Sequence, residues 1–396
     1  MSKLNVVQFV PYYPPHKGGL ETHAMEWAYF WSRKWYWRVF NVTTDIGPLE
    51  TNKEKIFYEN EEIGYIKDWV ENLVVPGYEI ISNFPVYKIW SKKYKLIRKY
   101  LSNQKIDFVI TRTRFFLTSI LGWRFAKKNK IPWIHIEHWS DYVKLNSKIK
   151  TLIARFYDKT FGKAVFLQAD KIIWVSSAVK RFLRNSFNVE TDKIIYRGLK
   201  TSWNADLEKN NLKQQFPGKI IVGFVGRLYK RKNVESLIKA YYQLKDEREK
   251  IKDEIQIVVV GDWEDYDRLK NLDTENLIYF IWGKALEETL EFQNQFDIHF
   301  HTSRPGGGLA TTLLQAMYLG NLIVATPYEW ANELINNWEN GILLQDDTLE
   351  ELKKWLVEWL DNLDKKEQYA QENQKIIKER FDWDKNIKKY YKLFNK

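Results

Sequence analysis

The residues in this chain that could do chemistry cluster where an apolar run ends and a helix begins. In PGGGLATTLLQAMYLG (305–320) three glycines follow one such run and lead into a helix whose first turn carries Thr311 and Thr312. Glycines let backbone approach a ligand closely, and a helix N-terminus presents unpaired N–H groups at the positive end of its dipole. The loop is therefore suited to cradling a diphosphate. Its spacing is neither the Walker pattern nor a strict G-x-G-x-x-G, and a plain strand-to-helix turn is the alternative. GRLYKRK (226–232) puts Arg227, Lys230, Arg231 and Lys232 at the end of another apolar run. Arginine supplies a planar fork and lysine a point charge, a pair suited to a nucleotide diphosphate; a solvated basic loop is the bland alternative.

Three further segments carry weaker signals. PPHKGGLETHA (14–24) is another glycine junction, in which Gly18 and Gly19 can bring backbone up to an anion. A bare tight turn is nearly as good an account of it. IHIEHWSDY (134–142) ends an apolar run with His135, Glu137 and His138, and alternation puts His138 on one face and His135 with Glu137 on the other. A structural histidine and a catalytic one are equally compatible with that pattern, and no third partner completes a metal set. Asp265-Tyr266-Asp267 matches a metal-binding D-x-D, but it follows GDWE at the expected start of a helix, where acids favour the dipole.

These segments need a scaffold, and the apolar runs supply one. The stretches 4–10, 107–111, 132–138 and 171–176 in the first half, and 219–225, 255–261, 277–281, 297–301, 321–326 and 341–344 in the second, predict buried strands. Helical spacing lies between them, as at 233–249 and 310–319. Continuous Val/Ile runs separated by helices predict parallel sheets covered on both faces, with ligands at the carboxyl ends of the strands. At 396 residues the chain has room for two such domains. The expected boundaries are an N-terminal domain over 1–200, a polar linker over 201–218, a second domain over 219–380, and a closing segment over 381–396.

Composition excludes several classes. With no cysteine there is neither a disulfide framework nor a thiol nucleophile. The apolar run at the N-terminus is too short for a signal peptide, and no stretch approaches the roughly 18 apolar residues of a membrane span. A cytoplasmic location is expected, with peripheral association on the inner face of the membrane as a variant. The net charge of +11 is unevenly placed: residues 1–200 hold 34 basic and 18 acidic side chains, whereas 201–396 hold 28 and 33. The 18 Trp, 23 Tyr and 22 Phe exceed what a core needs, so some rings should be partly exposed.

In this order the pieces resemble the family 4 glycosyltransferases. The resemblance covers nearly the whole chain: the KGGLETHA loop, EHWSD, VSSAVKRFL (175–183), GRLYKRKNVESLIKAYYQL (226–244) where the family has G-R-L-x-x-x-K-G, VVVGD (258–262), the glycine loop, and NELINNWENGILL (332–344). It implies an α/β protein of the GT-B fold, two Rossmann-like doubly wound parallel-sheet domains facing across a cleft, with FDWDKNIKKYYKLF (381–394) as the helix crossing back to the first domain. The implied activity is transfer of a sugar from a nucleotide sugar, a UDP- or GDP-sugar, to a glycan, lipid-linked or protein-linked acceptor, with retention and without metal or other cofactor.

The resemblance also implies roles position by position. Arg227 and Lys232 would bind the donor diphosphate and stabilise the departing nucleoside diphosphate. Gly18 and Gly19 would lie against the same phosphates from the opposite domain, His138 near the transferred sugar, and the main chain at Gly283 near the base. Gly307, Gly308, Leu309, Ala310, Thr311, Gln315 and Glu333 complete the implied donor set. The family shows Glu-x7-Glu around this loop; here those positions are Gly307 and Gln315, so a sugar-contacting carboxylate is missing and a ribose partner has lost its charge.

The segment VYKIWSKKYKLIRKYL (86–101) has Val86, Trp90, Ile97 and Leu101 along one helical stripe with lysines and Arg98 opposite. It is expected either to contact an anionic membrane surface from the basic half or to pack that stripe on its own sheet. Two other functions fit the same composition less well: a sugar transferase acting on nucleic acid, which lacks any recognisable nucleic-acid motif here, and an impaired GT-B protein that binds nucleotide or glycan without turnover.

Overall fold

The computed structural model describes residues 4–394 apart from 17, 36, 48–52, 82–83, 144–146, 191–192, 201–210, 305–309 and 329. The first unit comprises Met1–Gly198 and Trp383–Lys396. Its strands are β1 (Val6–Phe9), β2 (Val39–Thr44), β3 (Glu54–Tyr58), β4 (Glu61–Lys67), β5 (Val70–Val75), β6 (Gly77–Ile81), β7 (Phe84–Tyr87), β8 (Phe108–Arg112), β9 (Trp133–Glu137) and β10 (Lys171–Trp174). Eight of these form one sheet in the order β10-β9-β8-β1-β2-β5-β4-β3, and β6 pairs with β7 in a separate hairpin. Pairing is parallel from β10 to β5 and antiparallel at the β5-β4-β3 edge.

The second unit, Leu199–Asp382, contains β11 (Ile220–Val225), β12 (Ile255–Val260), β13 (Ile278–Ile281), β14 (Ile298–His301), β15 (Leu322–Ala325) and β16 (Ile342–Leu343). All six are parallel, in the order β13-β12-β11-β14-β15-β16. That is the 3-2-1-4-5-6 order of a Rossmann domain, whose ligands sit outside the carboxyl ends of the strands where the order reverses. The reversal falls between β11 and β14 here, and between β1 and β8 in the first unit. Of the expected linker, 201–210 lie outside the described residues, and Leu212–Gln215 form one helical turn.

Aromatic packing explains much of the unusual composition. Helix Trp383–Phe394 belongs to the first unit, where Tyr390 and Phe394 lie against Trp27, and Phe394 stacks on Phe108 with centroids 4.7 Å apart. The Trp383 indole N–H donates to Glu26 Oε2 at 2.9 Å, and Arg197 Nη2 reaches the same oxygen at 2.9 Å. Other rings, among them Trp69, Trp90, Trp263, Trp282 and Trp338, are exposed, as the count implied.

The reading of 86–101 as one amphipathic helix is corrected. Val86 lies in β7 and Trp90 in the following turn, and the helix is Lys92–Ser102, capped by Ser91 whose hydroxyl accepts from the Tyr94 N–H at 3.2 Å. Its apolar stripe of Tyr94, Leu96, Ile97 and Leu101 is buried in the sheet's core, so this helix has no apolar face to give a membrane. The strands β2 to β7 were not anticipated. β2 carries Asn41, Thr43 and Thr44 inside, with Asn41 Nδ2 donating to Asn72 Oδ1 of β5 at 3.0 Å. A buried amide pair breaks the apolar run that identifies a covered strand.

Candidate functional site

In the second unit the basic turn after β11 meets Thr302, Ser303 and Arg304, which follow β14, at the β11/β14 reversal. After β11 the chain passes Gly226, at φ +157° in the region that favours glycine, and bends so closely over β12 that a Cβ on Gly261 would stand 2.0 Å from the Gly226 carbonyl oxygen. Arg227 follows, its guanidinium 5.2 Å above the Trp263 ring. The turn Lys230–Lys232 then presents Lys232 Nζ to Ser303 Oγ at 3.2 Å. Thr302 Oγ1 donates to the Lys232 carbonyl at 2.7 Å, and the Arg304 N–H donates to the Arg231 carbonyl at 2.8 Å.

Ser303 and Arg304 lead directly into the glycine loop. Gly307, Gly308 and Leu309 lie outside the described residues, while Ala310 and Thr311 open helix Thr311–Leu319. Ser303 is itself fixed, since Thr326 Oγ1 donates to its carbonyl at 2.5 Å. Burial, and then the charge of Lys232, push the imidazole of His299 on β14 down to about 3, and His301 is lowered by the same causes. The Lys232 charge thus acts on two imidazoles that burial keeps neutral.

The other sequence-predicted positions of this unit are placed around that centre. Gln315 is buried within helix Thr311–Leu319, and Glu333 is half-buried on helix Ala331–Leu334. Gly283 follows β13 against the Asp262 carboxylate, where a Cβ would come within 2.1 Å of Oδ2. Beside it the exposed Trp282 ring meets Tyr266 edge-on at 4.6 Å. Asp265 is not part of a metal pair: Arg268 Nε donates to its Oδ1 at 2.9 Å.

In the first unit Gly18 and Gly19 follow β1 at the β1/β8 reversal, and His138 follows β9, the strand beside β8. Gly19 opens helix Gly19–Trp35, and a Cβ there would meet nothing within 4 Å, so its backbone is open to approach. Gly18 is covered by the Glu21 carboxylate. His135 is structural, with Nδ1 2.9 Å from Thr111 Oγ1 and Nε2 3.4 Å from Glu137. Glu137 closes the strand: it accepts the backbone N–H groups of Arg114, His138 and Trp139 at 3.0, 2.9 and 2.9 Å. Burial works against its charge, yet Arg114, His135 and these N–H groups hold its pKa at about 2.

His138 packs edge-on against His23, centroids 4.6 Å apart. Burial, and then the charge of Arg112, lower His138 to about 3, so it is a neutral imidazole at physiological pH. Arg112 is fully buried over the Trp27 ring, and none of its guanidinium nitrogens has a hydrogen-bond partner among the described residues. Neither ring nitrogen of His23 has one. Sequence reading missed Ser303, Trp263, His23 and Arg112. Only Ser303 carried a local signal, its place just before the glycines.

Comparisons with known proteins identify the family and the fold. Residues 17–203 match the family model described as Glycosyltransferase Family 4, and 207–376 match Glycosyl transferases group 1. The chain is 40% identical over 407 residues to an uncharacterized glycosyltransferase of Methanocaldococcus jannaschii, covering all of this chain and 99% of that one. Among solved structures it is similar to HepE of Anabaena in complex with UDP and glucose (TM-score 0.72, 17% identity, 99% of each chain). It is also similar to sucrose-phosphate synthase of Thermosynechococcus elongatus (TM-score 0.77, 16% identity, 99% of this chain and 98% of that one). With its two Rossmann-like domains, this chain is a GT-B glycosyltransferase and belongs to the family whose halves are described as Glycosyltransferase Family 4 and Glycosyl transferases group 1.

Proposed function

We propose that the enzyme takes a UDP- or GDP-sugar as donor, holds its diphosphate against Arg227 and Lys232, and passes the sugar to a hydroxyl of a glycan, lipid-linked or protein-linked acceptor, with retention and without a metal ion. The observation that carries this reading is the hydrogen bond from Lys232 Nζ to Ser303 Oγ at 3.2 Å, which sets a cation beside the residues that precede the glycines in sequence. As the bond between the anomeric carbon and the diphosphate oxygen breaks, its electron pair stays on the leaving diphosphate. Fixed cations there stabilise the charge as it forms. The acceptor oxygen bonds the anomeric carbon and its proton passes to the leaving phosphate oxygen.

The UDP bound by the Anabaena protein supports a uridine donor. Gly283, with the Trp282 and Tyr266 rings beside it, is assigned to the base, and Ala310, Thr311, Gln315 and Glu333 to the remaining donor contacts together with Gly307, Gly308 and Leu309. The first unit is assigned to the acceptor. His138, neutral, can accept a hydrogen bond from a sugar hydroxyl.

A panel of UDP-glucose, UDP-galactose, UDP-N-acetylglucosamine and GDP-mannose, each with simple hydroxyl acceptors and EDTA, tests this. Release of nucleoside diphosphate from donors of one base, undiminished by EDTA, is expected. Release that stops in EDTA and returns with added metal would remove the metal-independent part, and no release from any donor would remove the proposal.

A further inference from the structure

One helix of the first unit has an apolar face that nothing covers among the described residues. In helix Lys148–Tyr157 the residues Ile149, Leu152, Ile153 and Phe156 recur at i, i+3, i+4 and i+7 and are 63 to 72% exposed. The apolar surface continues at Phe161 in the turn Asp158–Gly162 and at Leu167 in helix Lys163–Gln168, both exposed. Scattered exposed apolar residues need no explanation, but six on one short segment mark a docking surface.

Charge identifies what docks there. The same segment carries Lys148, Lys150, Arg155, Lys159 and Lys163, all exposed. Its one acid, Asp158, is buried and bound by Arg114 through Nε and Nη2, both at 2.8 Å. At the angular step of an α-helix, Lys148 and Arg155 border the apolar stripe on one side and Lys150 on the other. Long basic side chains in those positions can lay their stems along the apolar face and lift their charges to a phosphate layer. A second copy of the chain fits poorly, because a symmetric contact would bring like-charged borders together.

The segment is held firmly. Val165 and Phe166 are buried, and the Arg114 guanidinium that binds Asp158 is also 3.5 Å from Glu137, the residue before His138. We propose that the 148–168 segment seats the first unit on an anionic lipid bilayer, with the apolar stripe at the acyl boundary and the basic borders at the headgroup phosphates. The docked face is then tied to the strand end that presents His138, where a hydroxyl carried on a lipid would arrive. The docking itself does not depend on the donor assigned above.

Flotation of the full chain with vesicles tests it. One vesicle set is phosphatidylcholine alone, and the other is phosphatidylcholine and phosphatidylglycerol in equal parts. Wild type should float with the anionic set at low salt, and Leu152→Glu/Phe156→Glu should lose at least tenfold in bound fraction. Lys148→Glu/Lys150→Glu should lose the preference for anionic over neutral vesicles. Because these side chains are exposed, all variants should keep the wild-type Tm and calorimetric UDP affinity, so a failed donor reading is seen separately. Equal recovery on both vesicle sets, or undiminished flotation of the Leu152/Phe156 variant, would overturn the proposal. So would a wild-type dimer in sedimentation velocity that the same substitutions dissociate while no lipid is bound.

Discussion

Lys232 Nζ donates to Ser303 Oγ across 3.2 Å, although the two residues stand 71 positions apart. The contact fixes the cation of the basic turn against the residue two positions before the glycine segment. Ser303→Ala should weaken UDP or GDP binding about three- to tenfold, the worth of one hydrogen bond. Ser303→Thr should restore it, and neither should shift Tm appreciably. Calorimetry on the three proteins checks this.

The ten strands expected from apolar runs all form, because a parallel strand covered on both faces must be apolar throughout. The meeting of 226–232 with 303–304 was only half legible. Each segment announced a strand end, but which strand ends lie side by side depends on sheet order, here β11 beside β14. The buried Arg112 and His23 left no signal, since polar residues on a strand and a helix look solvent-facing until the layers close over them. The 148–168 stripe was legible as i, i+3, i+4, i+7 spacing. The segment 86–101 carries a denser run of lysines and so reads as the membrane candidate, yet the apolar side of its helix, Lys92–Ser102, is the buried one.

Two glycines separate ligand approach from packing. Gly19→Ala puts a methyl into open space, so Tm should hold while turnover falls if ligand needs that backbone. Gly261→Ala drives a methyl into the Gly226 carbonyl and should cost about 2 kcal/mol or more. Thermal unfolding and initial rates on both variants distinguish the two roles.

Arg114 is the sole cation shown against the buried carboxylates of Glu137 and Asp158 among the described residues. Arg114→Met strands both charges and should cost about 3–5 kcal/mol in urea unfolding. Arg114→Met/Asp158→Asn should recover part of that loss by removing one of the two.

Stability should fall as the pH drops below about 6.5. Five of the six histidines, His23, His135, His138, His299 and His301, are lowered chiefly by burial. Each binds a proton less readily when folded than when unfolded, so its contribution is complete above pH 6.5 and declines as pH drops below that value. Each can add on the order of 1 kcal/mol per pH unit to the slope. Glu137, held at about 2, acts in the same direction but only below its unfolded value of 4.5. Urea unfolding at steps between pH 7.5 and about 4.5 should show falling stability with proton uptake; a flat profile would contradict the buried, neutral histidines.

Arg227 and Lys232 are proposed to hold the donor diphosphate. Calorimetric titration of UDP and GDP into wild type, Arg227→Ala and Lys232→Ala measures it most directly. Each substitution should raise the Kd for the nucleotide bound by wild type by about one to two orders of magnitude, the worth of a charge-assisted contact, with Tm unchanged. Wild-type affinity retained in both folded variants would contradict the account.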